Sequence, residues 1–316
     1  MYALPGLVDG HSHLAVETLN WEPGDPEGAA ARALSALRAG VNLVFDKGWR
    51  DETVLGLLDL PPSARPDIEA AGRVIAALGG YMPQFAFEVE GESLHSAVAE
   101  AAVRSAGWVK LIGDWPRRGL GPVTNFDLKQ LSEAVDVAKR AGCRVAIHTM
   151  AREVPALAVA AGVDSIEHGP FLSEGDVEQL GARNGMWVPT LLRMEDLVIQ
   201  LGAESSGGKL MLDGLENTRR LLPLAVEAGV VVLAGTDLIT PSDGVAAEAV
   251  RLSEYGMTGE SVVNAVSNAG RAATGRDVRF EPGEPADAVF FDEDPRLNPA
   301  ILAHPRLILR HGEVVA

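Results

Sequence analysis

Residues 5–13 read Pro5-Gly6-Leu7-Val8-Asp9-Gly10-His11-Ser12-His13, a short apolar run that ends in a His-x-His pair. In extended backbone alternate side chains share one side, so the two imidazoles aim at a common point, as chelation of a divalent cation requires. With seven histidines in the chain, the pair alone carries little weight. Its position adds the rest. If Leu4–Asp9 is the first strand of a parallel barrel, the histidines stand at its C-terminal end, the end that forms the active-site face of such barrels.

Working outward from this stretch, short β-branched runs alternate with amphipathic segments. The strand candidates are Leu4–Asp9, Val41–Asp46, Asp67–Ile75, Trp108–Ile112, Arg144–Ile147, Ser165–His168, Met186–Pro189 and Val230–Ala234. Most are continuously apolar, the mark of parallel strands covered on both faces. Helices are expected over Gly28–Ala39, Ser93–Ser105, Asn125–Ala141, Val154–Ala161, Glu174–Asn184 and Leu215–Ala228, several closed by a glycine; Asn125 is taken as a cap. Eight strands alternating with helices give an α/β chain of the (β/α)8 TIM-barrel class over residues 1–275. An open doubly wound sheet is the competing layout, but no Gly-rich phosphate loop follows the first strand. Beyond Gly275, Ala286–Phe291, Arg306–His311 and Val314–Val315 read as a small C-terminal β appendage over 276–316.

Bulk properties narrow the function. The chain has 316 residues, 27 basic and 44 acidic side chains and a formal net charge of -17, a balance that repels phosphate backbones and argues against nucleic acid. Short basic clusters such as Arg219-Arg220 read as ordinary surface. No apolar run approaches the length of a membrane helix, and residues 1–14 lack the features of a signal peptide. Cys143 is the only cysteine, so no intramolecular disulfide can form. A cytoplasmic protein acting on a small molecule, with a homo-oligomer allowed, is the expectation.

The other strand ends supply matching chemistry. His148 closes the fifth strand, His168 the sixth, Asp237 follows the eighth, and Lys110 sits inside the apolar fourth strand. Singly, each has a plain structural reading: a hydrogen-bonded core histidine, a lysine that snorkels to water, an aspartate that caps a helix. Those readings do not explain five separate strand ends that all carry metal-compatible groups.

In these residues the chain resembles the amidohydrolase superfamily. Residues 5–13, Lys110, His148, the SIEHGP stretch at 165–170 and AGTD at 234–237 follow its ordered signature, and ADAVFF at 286–291 resembles its closing β segment. SIEHG followed by PTL at 189–191 is most similar to the prolidase and arginine-carboxypeptidase branch. That resemblance implies two divalent metal ions, zinc by expectation. His11, His13 and Asp237 would hold one ion, and His148 and His168 the other. Lys110, N-carboxylated, would bridge them. The modification is chemically reasonable, because a lysine in an apolar strand has a depressed pKa and a nucleophilic neutral amine. Metal-activated water would then cleave an amide or related C–N bond in a peptide-like, N-acyl amino acid or cyclic amide substrate, with Asp237 as catalytic base and then acid. Members of the superfamily usually carry further β strands ahead of the first motif. The expectation is therefore a partial sandwich lacking its N-terminal half, with open edges at 286–291 and 306–315.

Competing functions use the same scaffold. A mononuclear deaminase of this superfamily usually has a Glu three residues after the fifth-strand histidine; Ala151 stands there, and Lys110 would be idle. Lactone, ester or phosphotriester hydrolysis fits the same metals. A non-catalytic ligand-binding barrel is distinguished by low metal content. Trp49, Tyr81, Asp114, Trp115, Arg117, Arg152 and Arg193 follow strand ends and are candidate pocket residues. The three arginines suggest an anionic substrate. His95, His304 and His311 receive no chemistry, and Cys143 is read as a small core residue.

Overall fold

The computed structural model describes residues 1–316 except 18–21, 118–119, 239–240, 277–279, 284–285 and 316. Its centre is a closed parallel barrel. The strands are Leu7–Ser12, Val41–Asp46, a third in two pieces (Asp67–Ala70 and Val74–Ala77), Trp108–Ile112, Arg144–Thr149, Ser165–His168, Met186–Val188 and Val231–Val232. Each pairs in parallel with the next. The eighth returns to the first through Gly10 N to Ala234 O at 2.7 Å and Asp237 N to His11 O at 2.7 Å. Sequence placed the strands well but ran the third together. It breaks at Gly72, which has φ +68° and whose carbonyl accepts the Trp49 amide.

Most helices fall where periodicity put them, with ends shifted by up to three residues. Asn125 is not the cap of Leu128–Arg140: Asp127 is, in a reciprocal capping box with Gln130, while the Asn125 amide donates to the Gly80 and Ile112 carbonyls. The larger difference lies between the seventh and eighth strands. Sequence assigned one helix there; the structure has two, Leu191–Leu201 and Ser206–Glu227, packed as a hairpin over the barrel mouth. None of the described helices is long and apolar enough to cross a membrane.

The first expected strand is really two elements. Tyr2–Pro5 runs antiparallel to Ala288–Phe291, and only after Gly6 does the chain enter the barrel. Leu307–Arg310 and Glu313–Val314 complete a four-stranded sheet. Tyr2–Pro5 thus covers the edge of Ala288–Phe291 that the sequence reading left open. Arg310 joins this sheet to the barrel. Its side chain is 2% exposed, and its guanidinium reaches Asp287 Oδ2 and, at the start of the third strand, Asp67 Oδ1, both at 2.5 Å. Removing one partner of such a buried group leaves the others uncompensated. Arg310→Met is therefore expected to lower unfolding stability by about 3 kcal/mol, read from urea denaturation. A loss below about 1 kcal/mol would show that solvent already satisfies both carboxylates.

Candidate metal centre

The barrel gathers His11, His13, Lys110, His148, His168 and Asp237 into the lining of one cavity at its C-terminal mouth. Three of their donor atoms form a near-equilateral triangle. His11 Nε2 lies 3.3 Å from His13 Nε2 and 3.5 Å from Asp237 Oδ1, and His13 Nε2 lies 3.3 Å from that same oxygen. Donors on a tetrahedral ion with bonds near 2.0–2.1 Å stand about 3.3 Å apart, so this face suits a transition-metal ion. On the other side the His148 and His168 rings are 4.7 Å apart, and His168 is 5.3 Å from His11.

The outer nitrogen of three imidazoles is already engaged, which fixes their tautomers. His13 Nδ1 lies 2.6 Å from the Gly48 carbonyl, an acceptor only. His11 Nδ1 lies 2.6 Å from Glu167 Oε2. The Thr190 hydroxyl gives its one proton to the Pro189 carbonyl, so at 2.6 Å it accepts from His168 Nδ1. In all three rings the proton is on Nδ1 and the Nε2 lone pair remains for a ligand bond, the usual arrangement behind a metal-binding histidine. His148 Nε2 and Lys110 Nζ are buried without a hydrogen-bond partner among the described residues. Orphaned polar atoms of this kind cost about 1–3 kcal/mol each unless something satisfies them. The donor set, then, fits divalent metal.

Glu167 and Lys47 were not singled out from sequence. Glu167 is fully buried in the sixth strand, and Lys47 Nζ, 1% exposed, lies 3.2 Å from its Oε1 and 4.6 Å from the Trp108 ring centroid. Burial pushes the Glu167 carboxyl up, but Lys47, His11 and Lys110 hold it well below the usual range. It is thus an anion under His11. Alternation in Ser165–His168 is the clue the sequence offered: Glu167 is a charged residue inside a buried strand. Gly48 is constrained as well. Its φ is +84° and a Cβ there would lie 2.5 Å from the Gly72 oxygen, so only glycine lets its carbonyl face His13. His168, which ends the sixth strand, and Thr190 and Asp237, which follow the seventh and eighth, have φ of 63°, 48° and 53° in the left-handed region, where non-glycine residues are strained.

Burial dominates the electrostatics. It pushes His11 and His168 down to about 3 and His148 lower than its ordinary value, so these rings are neutral and able to ligate at neutral pH. It brings Lys110 down to about 8. Asp237 would also be raised by burial, but the surrounding histidines hold it well below the carboxylate range.

The cavity encloses about 400 Å³. Tyr81, Trp115 and Arg193 line it, as the sequence suggested; Trp49, Arg117 and Arg152 do not. Trp49 is buried against Phe85, with ring centroids 3.8 Å apart. Arg117 is exposed on a hairpin after the fourth strand, near Asn125. Arg152 pairs with Asp213 on the surface and stacks on Phe171. Their placement after a strand says nothing of direction, and these three side chains turn aside. A larger cleft of about 730 Å³ lies by the strand beginnings, near Arg144, Met186 and Val231, and none of the six cluster residues lines it.

Barrel, mouth and ligand-capable cluster define a barrel hydrolase, and solved structures share the whole architecture. A Xaa-Pro dipeptidase with bound methionine in its active site superposes with a TM-score of 0.81 at 21% identity, over 99% of this chain and 86% of that one. The ochratoxinase of A. niger gives 0.81 at 18% identity, over 99% and 82%. At such identities the likeness is one of fold. The chain belongs to the Amidohydrolase family, which it matches over residues 2–316. It is accordingly an amidohydrolase, of a family that generally employs divalent metals. Uncharacterized proteins of Mycobacterium tuberculosis and Mycobacterium bovis are 34% identical over 325 residues, spanning 98% of this chain and 84% of each relative.

Asp114 shows how the mouth is braced. Its Oδ2 accepts from Met150 N at 2.8 Å and Ala151 N at 2.9 Å, tying the loop after His148 to the fourth strand, while Oδ1 is buried without a partner. Burial raises its pKa from 3.8 to about 7. A raised acid stabilises the fold fully below its unfolded pKa and loses that contribution as pH rises through the folded value. Asp114→Asn keeps an oxygen for both amides and does not titrate. The melting temperature of the variant relative to wild type should therefore rise between pH 4 and about 7 and level off above. A difference constant across that range would place the Asp114 proton elsewhere.

Proposed function

We propose that the protein hydrolyses the amide bond of a peptide-like or N-acyl amino acid substrate that carries a carboxylate beside the scissile bond. What supports this reading is the convergence of four histidines, Lys110 and Asp237 in one cavity, three of the histidines presenting Nε2 with Nδ1 already held. His11, His13 and Asp237 would hold one divalent ion and His148 and His168 a second, zinc by preference for imidazole-rich sites. Lys110 would bridge as its carbamate: the neutral Nζ adds to carbon dioxide and releases a proton. When bound, two such ions acidify water and polarise a carbonyl oxygen.

Asp237 then moves protons. Held ionised by its neighbours, it accepts one from the attacking water and passes it to the departing nitrogen, a carboxylate base that becomes the acid. Glu167 keeps His11 oriented throughout. Arg193 is the cation placed to receive a substrate anion: its Nε lies 3.9 Å from Asp237 Oδ2 and its Nη1 is paired with Asp196 at 2.6 Å. A guanidinium so close to the proton-transferring carboxylate aligns a substrate carboxylate only if that group is near the scissile nitrogen.

Three measurements test the reading. Metal analysis of the purified holoprotein should find two equivalents per chain, and Lys110→Ala should lose at least one. Asp237→Asn should abolish turnover while keeping most of the metal; retention of a tenth of wild-type activity removes it from the proton-transfer role. Arg193→Met should raise the Michaelis constant for an anionic substrate at least about tenfold, roughly 1.4 kcal/mol. An unchanged constant would mean that the anion, if there is one, is held elsewhere.

A further inference from the structure

The cavity has two unlike halves. One holds the titratable cluster. Outside that cluster, Arg193 is the only charged group among the described lining residues; Gln200, the Tyr81 hydroxyl and the Trp115 indole N–H are the neutral polar groups, and the rest is apolar or backbone. The helix Leu191–Leu201 presents Arg193, Leu197, Gln200 and Leu201 to the cavity, spacings of one helical face. Arg193 stands in its first turn beside Asp237. Leu197 and Leu201 follow about 6 and 12 Å further along the axis. The second helix of the hairpin closes the same space with Leu210 and Met211, Met211 being 3% exposed.

This ruler is anchored to the metal centre. The first helix begins after Thr190, whose hydroxyl holds His168, and its first amides, Leu191 N and Leu192 N, end on the buried Glu248 carboxylate at 2.7 and 3.0 Å. The distance from the cluster to the leucines is therefore set by the fold and not by a loose loop.

We propose that the residue released by this site is an amino acid with a large apolar side chain, lodged between Leu197 on one helix and Leu210 and Met211 on the other, with Leu201 at the rim. The proposal rests on the amide-hydrolase reading above. Asp237 protonates the scissile nitrogen, and Arg193 beside it holds a carboxylate one carbon away. The remaining substituent of that carbon has the apolar face ahead of it. Between Leu197, Leu210 and Met211 a hydroxyl or carboxylate loses water with only the Gln200 amide on that face to meet it, and that amide's nitrogen is already held by Asp196, whereas an aromatic or branched side chain removes apolar surface from water.

The test is a matched series with one acyl group: N-acetyl derivatives of glycine, serine and glutamate against those of leucine, methionine and phenylalanine, with the holoprotein. The kcat/KM values for the apolar set should exceed the glycine value by at least about tenfold. Leu197→Gln and Leu210→Gln should each reduce the phenylalanine-to-glycine ratio by about tenfold, and Leu197→Met should retain it. Calorimetric binding of free phenylalanine and free glycine reports on the chamber without turnover, with the same preference expected. Equal kcat/KM values across the series would overturn the chamber assignment and leave the hydrolase reading standing. If no derivative is cleaved but phenylalanine binds at least tenfold tighter than glycine, and Leu210→Gln abolishes the difference, the chamber is supported and the amide reading falls. Equal binding of the two amino acids overturns the chamber whatever is hydrolysed.

Discussion

Two backbone hydrogen bonds, Gly10 N to Ala234 O and Asp237 N to His11 O, close the sheet between its first and eighth strands. Everything at the mouth depends on that seam. The eighth strand contributes only Val231–Val232 to the ladder, so the join needs help. Asp9 supplies it: its carboxylate accepts the Thr236 hydroxyl at 2.6 Å and the amides of Thr236 and His11 at 3.1 Å. Burial still raises the Asp9 pKa to about 6. With the seam shut, Asp237 lies 3.3 Å from His13 although more than two hundred positions separate them in the chain.

The charges beneath the site follow from the same enclosure. A barrel interior excludes water, so an ionised side chain there must find its partner inside. Glu167 finds His11 and Lys47, and Lys47 lies over Trp108. The triad holds one imidazole at a fixed tilt. Lys110 Nζ and His148 Nε2 have no hydrogen-bond partner among the described residues.

The cavity wall beyond the cluster is built by a different device. Connections between most barrel strands carry a single helix, but the seventh leads into a helical hairpin whose inner face is mainly leucine and methionine, with Arg193 and Gln200. Because Glu248 and Thr190 pin the hairpin at its base, the apolar wall and Asp237 keep a fixed relation. Insertions after a strand can thus alter what is bound without moving the groups that carry the chemistry.

The amino-acid sequence by itself determined the barrel and the six cluster residues. Local causes sufficed there: buried strands are continuously apolar, and a charged or imidazole side chain at the end of such a run stands out. It also showed that His11 and His13 share a side, since strand periodicity is local. Tertiary structure alone decided what depends on direction and distance. Only the closed barrel shows that Glu167 meets His11 and Lys47, and that Gly48 and Thr190 fix two tautomers. Trp49, Arg117 and Arg152 follow strands just as Tyr81, Trp115 and Arg193 do, yet the first three turn into core or surface and the others into the cavity. Leu4 and Pro5 read as the start of a barrel strand until Tyr2–Pro5 is seen paired with Ala288–Phe291, brought beside it from the far end of the chain. Local sequence specifies the backbone period of a segment; which neighbour it meets is set by packing between residues distant in sequence.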